Sequence, residues 1–168
     1  MIHGYALNSL GQNAIETFEN MTNAQVDPDD ITFLGILFAC DHLSLLEEGK
    51  HFFSLMTNYG ISPNIMHYAC MVDLFRRKGM VEQAEELMKS MPFEPDSAIW
   101  TSLLSSCRMN KNDGLAEHAA SQLISINPSS KMPYLHLINV NGSTNTRSNT
   151  RNRIRNAATG KEVAYSWM

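Results

Sequence analysis

The residues best suited to hold a metal or activate a nucleophile in this 168-residue chain are six histidines and three cysteines. Hydrolytic deamination of a nucleobase needs a zinc ion held by an H-x-E motif and a C-x-x-C pair, with the glutamate moving protons. His3, His42, His51, His67, His118 and His136 are scattered, and none is followed two places later by Glu. Cys40, Cys70 and Cys107 are too few and too widely separated for a zinc site or a disulfide framework. A reducing compartment fits them. No Walker loop, G-x-S-x-G elbow or dinucleotide fingerprint occurs. The sequence therefore predicts no catalytic residue, no metal and no cofactor.

What the chain does repeat is a packing pattern. Pro28, Pro63 and Pro95 stand in "VDPD", "ISPN" and "FEPD", with spacings of 35 and 32. A small residue recurs at Ala14, Gly49, Ala84 and Ala116, and an aromatic one at Phe33, Tyr68 and Trp100. Met21, Met56 and Met91 form a further column. Columns in one phase define an internal repeat. Each unit reads as two helices. The first is seen in "TFLGILFACDHL", "HYACMVDLFRRK" and "AIWTSLLSSCRM"; the second in "AIETFENM", "LLEEGKHFFSLM", "VEQAEELMKSM" and "GLAEHAASQLISI". Tyr68, Met71, Val72 and Phe75 fall at helical spacing, Gly79 stops that helix, and Pro closes the unit. The small residue belongs where the two helices of one hairpin approach closely. A lone hairpin gains roughly 1.5–3 kcal/mol per large buried side chain, against about 1–2 kcal/mol per ordered backbone residue. Hairpins must therefore stack, which predicts an all-α fold, an α-solenoid of stacked helix-turn-helix units.

Charge is uneven along the chain. The net formal charge is −4; residues 1–130 carry −9 and residues 131–168 carry +5. The main body lacks the basic footprint of a strong non-specific nucleic-acid binder. The basic tail reads either as a phosphate-attracting arm or as disordered. No apolar run reaches the roughly 18–20 residues a membrane span needs, so no membrane partner is expected. The chain opens on "MIHGYALNSLG", which reads as the inside of a helix with no targeting leader before it. An address on a missing N-terminal part is the expectation.

Two hairpin families fit this pattern. Tetratricopeptide repeats are about 34 residues long and usually bind protein segments. The sequence more closely resembles the pentatricopeptide repeat (PPR) family, whose repeats read single-stranded RNA about one base each. Its alternating lengths are similar to the plant PLS subclass. "DITFLGILFACDHLSLLEEGKHFFSLMTNYGISPN" resembles a long motif, "HYACMVDLFRRKGMVEQAEELMKSMPFEPD" the last short motif, and "AIWTSLLSSCRMNKNDGLAEHAASQLISINP" the first, tetratricopeptide-like E motif. The implied organisation is a partial repeat at 1–29, a long repeat at 30–64, a short repeat at 65–96, the E motif at 97–130, and a degenerate second E motif with a basic tail at 131–168. That last stretch begins with "YLHLINV" and ends with "YSWM", but between them it is too poor in apolar residues to bury a core.

The resemblance also implies a site. In the family the fifth and last residues of a repeat face the base, and the second packs on its plane. With units starting at Asp30, Ile65 and Ser97, the base-facing candidates are Leu34 with Asn64, Ala69 with Asp96, and Asp29 alone; Ile31 and Met66 are the base-packing candidates. Leu34 and Ala69 have no hydrogen-bonding side chain and read more simply as packing residues. An Asp following Pro is equally an ordinary helix N-cap. The Arg76–Lys78 run reads as a solvated helix end favoured by the dipole, with phosphate contact as the alternative. Stacked bases contribute roughly 1–3 kcal/mol each, against an association cost of about 4–15 kcal/mol, so two or three repeats bind RNA weakly. The implied function is sequence-specific single-stranded RNA binding in mitochondrial or chloroplast RNA processing. More narrowly, it is site recognition in C-to-U editing, with editing-complex proteins and a deaminase supplied in trans. A protein-interaction scaffold and a truncated gene product without function are the alternatives.

Overall fold

The computed structural model describes residues 1–7, 10–110, 112–130 and 133. Eight helices occur among them: α1 (Ile2–Leu7), α2 (Gly11–Asn23), α3 (Asp30–Leu43), α4 (Leu46–Asn58), α5 (Ile65–Arg77), α6 (Val81–Lys89), α7 (Ser97–Asn110) and α8 (Asp113–Ile126). No strand occurs among the described residues, and no helix among them is long and apolar enough to cross a membrane. The second E-like stretch and most of the basic tail lie outside the described residues.

The chain divides into two units, residues 1–95 and 96–168. In the first, α1 pairs with α2, α3 with α4, and α5 with α6. The hairpins stack because α3 also packs against α1, α2 and α5, and α4 against α5. Helix α3 is accordingly buried along most of its length, at Phe33, Gly35, Ile36, Leu37, Ala39, Cys40 and Asp41. The second unit contains the α7–α8 hairpin, with Leu103, Leu104, Ala119 and Ala120 in its core.

The small and aromatic columns lie in the core; of the methionine column Met56 is buried and Met21 and Met91 are half-buried. Phe18 meets Phe33 and Phe52 edge-on, at centroid separations of 5.6 and 5.1 Å. Met56, Met71 and Met88 are buried, filling gaps between helices as flexible thioethers do. Ala14, Gly49, Ala84 and Ala116 are all buried. Their role is wider than closeness within one hairpin. A Cβ at Gly49 would lie 3.6 Å from Cys40 Cβ on its own hairpin partner, but would overlap Leu74 Cδ2 on the next repeat. At Gly49 the small residue therefore sets the stacking distance to the next repeat.

The turns repeat as backbone even where the residues do not. Leu45 N–H donates to Cys40 O (2.8 Å), and Met80 N–H to Phe75 O (3.0 Å). These six-to-one bonds are those of a Schellman ending, with Ser44 and Gly79 in the left-handed region at φ 55° and 73°. Only Gly adopts that region without Cβ strain, so Gly79 is the compatible residue and Ser44 the strained one. Ser44→Gly should raise stability by about 0.5–1 kcal/mol, the relieved strain partly offset by added chain entropy. Urea unfolding checks it; an unchanged midpoint would mean that Ser44 is not strained.

Candidate nucleic-acid interface

All three last-of-repeat candidates are helix N-caps. Asp29 stands before α3 with extended backbone, and its Oδ1 accepts from Thr32 N–H (2.8 Å) and the Thr32 hydroxyl (2.6 Å). Both bonds stabilise the carboxylate and hold its pKa below the ordinary range. Asn64 caps α5 through Oδ1, which accepts from Met66 N–H at 3.0 Å. Asp96 Oδ1 accepts from Ile99 N–H at 2.9 Å in the second unit.

Capping uses one side-chain atom and leaves another. Among the described residues, Asp29 Oδ2, Asp96 Oδ2 and Asn64 Nδ2 have no protein partner, and all three residues are exposed. The two roles weighed from the sequence are thus compatible. Oδ1 holds the helix, and the outer atom remains free to accept or donate. Ile31 and Met66 follow two places after their caps and are 61% and 55% exposed, although both are apolar. Leu34 and Ala69 are half-buried on α3 and α5. The structure therefore places an exposed polar cap beside an exposed apolar side chain at the start of α3 and again at the start of α5.

These two starts are joined. His67, fully buried in the first turn of α5, completes a capping box: its Nδ1 accepts from Asn64 N–H at 3.2 Å. Its Nε2 lies 3.0 Å from Asp30 O at the start of α3, and its Nδ1 also lies 2.8 Å from Asn64 Oδ1; a proton on Nε2 serves Asp30 O and leaves Nδ1 to accept from Asn64 N–H, whereas one on Nδ1 serves Asn64 Oδ1. Sequence reasoning took His67 as one of six scattered histidines. The available signal was the Asn-x-x-His spacing, the shape of a capping box with unusual residues.

The basic run at the end of α5 is largely committed. Arg76 Nε meets Asp73 at 3.0 Å, and Arg77 Nε meets the buried Asp41 at 2.8 Å. Burial raises the pKa of Asp41, with Arg77 opposing that shift. Cys40 and Cys70 are buried, and burial pushes both thiols up to about 12, where they are poor nucleophiles and poor metal ligands. No cluster that could hold a metal ion occurs among the described residues.

Stacked helical hairpins of this kind define a helical-repeat protein. The comparisons make the class specific. A family model described as "PPR repeat" matches residues 1–26 and 66–94. The pentatricopeptide repeat-containing protein At2g13600 of Arabidopsis thaliana is 40% identical over 172 residues, covering all of this chain and 25% of the relative. At4g19191, mitochondrial, from the same plant, is 43% identical over 141 residues, covering 83% of this chain and 22% of the relative. The chain thus spans about a quarter of the length of such relatives. Among solved structures, the pentatricopeptide repeat protein PPR10 in complex with an 18-nt psaJ RNA element superposes with a TM-score of 0.70 over 96% of this chain and 24% of its own, at 16% identity. That likeness establishes the fold, the α-solenoid of stacked hairpins. The chain belongs to the pentatricopeptide repeat proteins.

Proposed function

We propose that the chain is a single-stranded RNA-binding segment of an organellar pentatricopeptide repeat protein, acting by binding and not by catalysis. The supporting observation is the paired exposure at successive helix starts: Asp29 with Ile31, and Asn64 with Met66. The free outer atom of each cap would meet a base edge, and the neighbouring apolar side chain would pack on its plane. Asp96 would serve the same way at the third start, with Leu34 and Ala69 shaping the space beside the bases. More narrowly, we assign 30–64 and 65–96 to long and short PLS repeats. Residues 97–130 would be an E motif that contacts editing-complex proteins, including a deaminase supplied in trans. The organelle is read as mitochondrion or chloroplast; the names of three relatives specify mitochondrial.

Binding by this chain alone should be weak, with a Kd of roughly 0.1–1 mM for short single-stranded RNA at low salt. An NMR titration against single-stranded and duplex RNA tests it. Single-stranded RNA should be preferred, and Ile31→Ala with Met66→Ala should weaken binding about tenfold or more, through lost apolar packing on the base planes. Equal affinity for duplex, or no effect of the double variant, would overturn the reading. A protein-scaffold role draws on one observation, the carboxylate excess over residues 1–130, and is favoured if no RNA binds.

A further inference from the structure

His67 does more than finish its own helix. Its ring is fully buried and spans two repeats, with Nδ1 against the Asn64 backbone N–H and Oδ1 and Nε2 against the Asp30 carbonyl. Asp30 follows the cap Asp29 and precedes Ile31; Asn64 is the next cap and Met66 follows it. A single planar ring therefore ties one cap-and-packing pair to the next. Resting on the RNA-binding reading above, we propose that His67 is a positioning residue: a clamp that sets the separation and orientation of the Asp29–Ile31 and Asn64–Met66 pairs, so that both engage consecutive bases of one strand.

Three features carry this. The ring nitrogens flank one carbon of a rigid plane and their bonds diverge, so satisfying both sides fixes the position of α5's first turn against α3's. The link between repeats, from Nε2 to the Asp30 carbonyl, is to a backbone group, which does not swing as a side chain does. Nothing about the contact requires either candidate pair to be buried; the clamp works from beneath while Ile31 and Met66 stay exposed. Without it, Asn64 keeps its bond from Met66 N–H but loses the other half of its capping box, and the two pairs lose their fixed separation. Two consecutive contacts would then behave as two weak, independent ones.

The experiment compares His67→Gln with His67→Met in the full 168-residue chain. Glutamine keeps one acceptor and one donor about as far apart as the ring nitrogens. Methionine fills space but carries no donor, and His67→Leu replaces it should it not fold. Val81→Ala, a core truncation on α6 away from the clamp, controls for lost stability. Affinity for short single-stranded RNAs, one of each base, is measured by NMR titration at a temperature where every variant keeps the wild-type circular dichroism. The expected result is at least a fivefold loss for His67→Met, recovery to within about twofold for His67→Gln, and no loss for Val81→Ala. Wild-type binding matched by His67→Met, or a loss shared by Val81→Ala, would overturn the clamp while leaving the RNA reading standing. No binding by the wild type would overturn the RNA reading, and the positioning role with it.

Discussion

Gly49→Leu is expected to destabilise the chain by about 3 kcal/mol, the upper part of the usual overpacking range. Gly49 lies on α4, buried where that helix crosses to the next repeat. A Cβ there already overlaps Leu74 Cδ2 and touches Met71 Sδ at 3.6 Å. Leu74 is fully buried, so its methyl groups have nowhere to go. A leucine adds three further carbons in the same place, and the α4–α5 stacking must open to admit them. Gly49→Ala should cost less than leucine, because the gain of roughly 1 kcal/mol in helix propensity offsets part of the clash. Gly114 on α8 is the contrast: a Cβ there meets nothing within 4 Å. Gly114→Ala should therefore leave stability unchanged or raise it by up to about 1 kcal/mol. Urea titrations followed by circular dichroism read all three. A Gly49→Leu midpoint equal to wild type would mean that repeats stack with slack, and the small-residue column would need another explanation.

That column was visible in the sequence because packing imposes it in every unit. Ala14, Gly49, Ala84 and Ala116 recur at one phase and all are buried, and the helix pairs follow from the same period. The direction of the limit was less visible. Spacing alone pointed to the hairpin partner, whereas the tightest approach at Gly49 is to the following repeat. The turns were legible only where glycine marks them. Gly79 and Gly60 announce a left-handed residue, but Ser44 and Gln25, one period earlier, hold the same conformation without that mark. The cap candidates were legible as Asp or Asn after Pro, though the sequence does not say which side-chain atom caps and which is left without a protein partner. His67 was illegible as a link between repeats because its distant partner is a carbonyl oxygen, and a backbone group has no sequence signature. Asp41 and Arg77 escaped for a related reason: they stand 36 residues apart, one step off the period, so no column joins them.

Arg77→Ala should cost about 1–3 kcal/mol at neutral pH, and the loss should shrink as the solution is acidified. Asp41 is 5% exposed on α3, and Arg77 reaches it from α5 at 2.8 Å. Arg77 is itself 40% exposed in its side chain, so losing it frees a solvated cation and strands a buried anion. The cost falls on the anion, which puts the estimate below that for a fully buried pair. Burial raises the folded-state pKa of Asp41, and Arg77 is the largest influence opposing that rise. A raised carboxylate pKa means that the folded state holds the proton more tightly than the unfolded state. Stability from this group therefore falls as pH rises through the folded pKa, and the cost is absent below the unfolded value. Removing Arg77 pushes the folded pKa higher still and widens that window. The gap in melting temperature between wild type and Arg77→Ala should narrow steadily from pH 7 down towards the ordinary carboxylate range. In an Asp41→Asn background, Arg77→Ala should cost little at any pH, since no charge is left to strand. A gap that stays constant with pH would show that Arg77 stabilises by packing its aliphatic stem and not by answering Asp41. The same pairing bears on RNA. A guanidinium already neutralised by a buried carboxylate releases few counterions from a phosphate, so Arg77→Ala should leave the salt dependence of RNA binding nearly unchanged. Affinity in this chain would then come from the exposed pairs at the helix starts and not from the one basic run in its repeats.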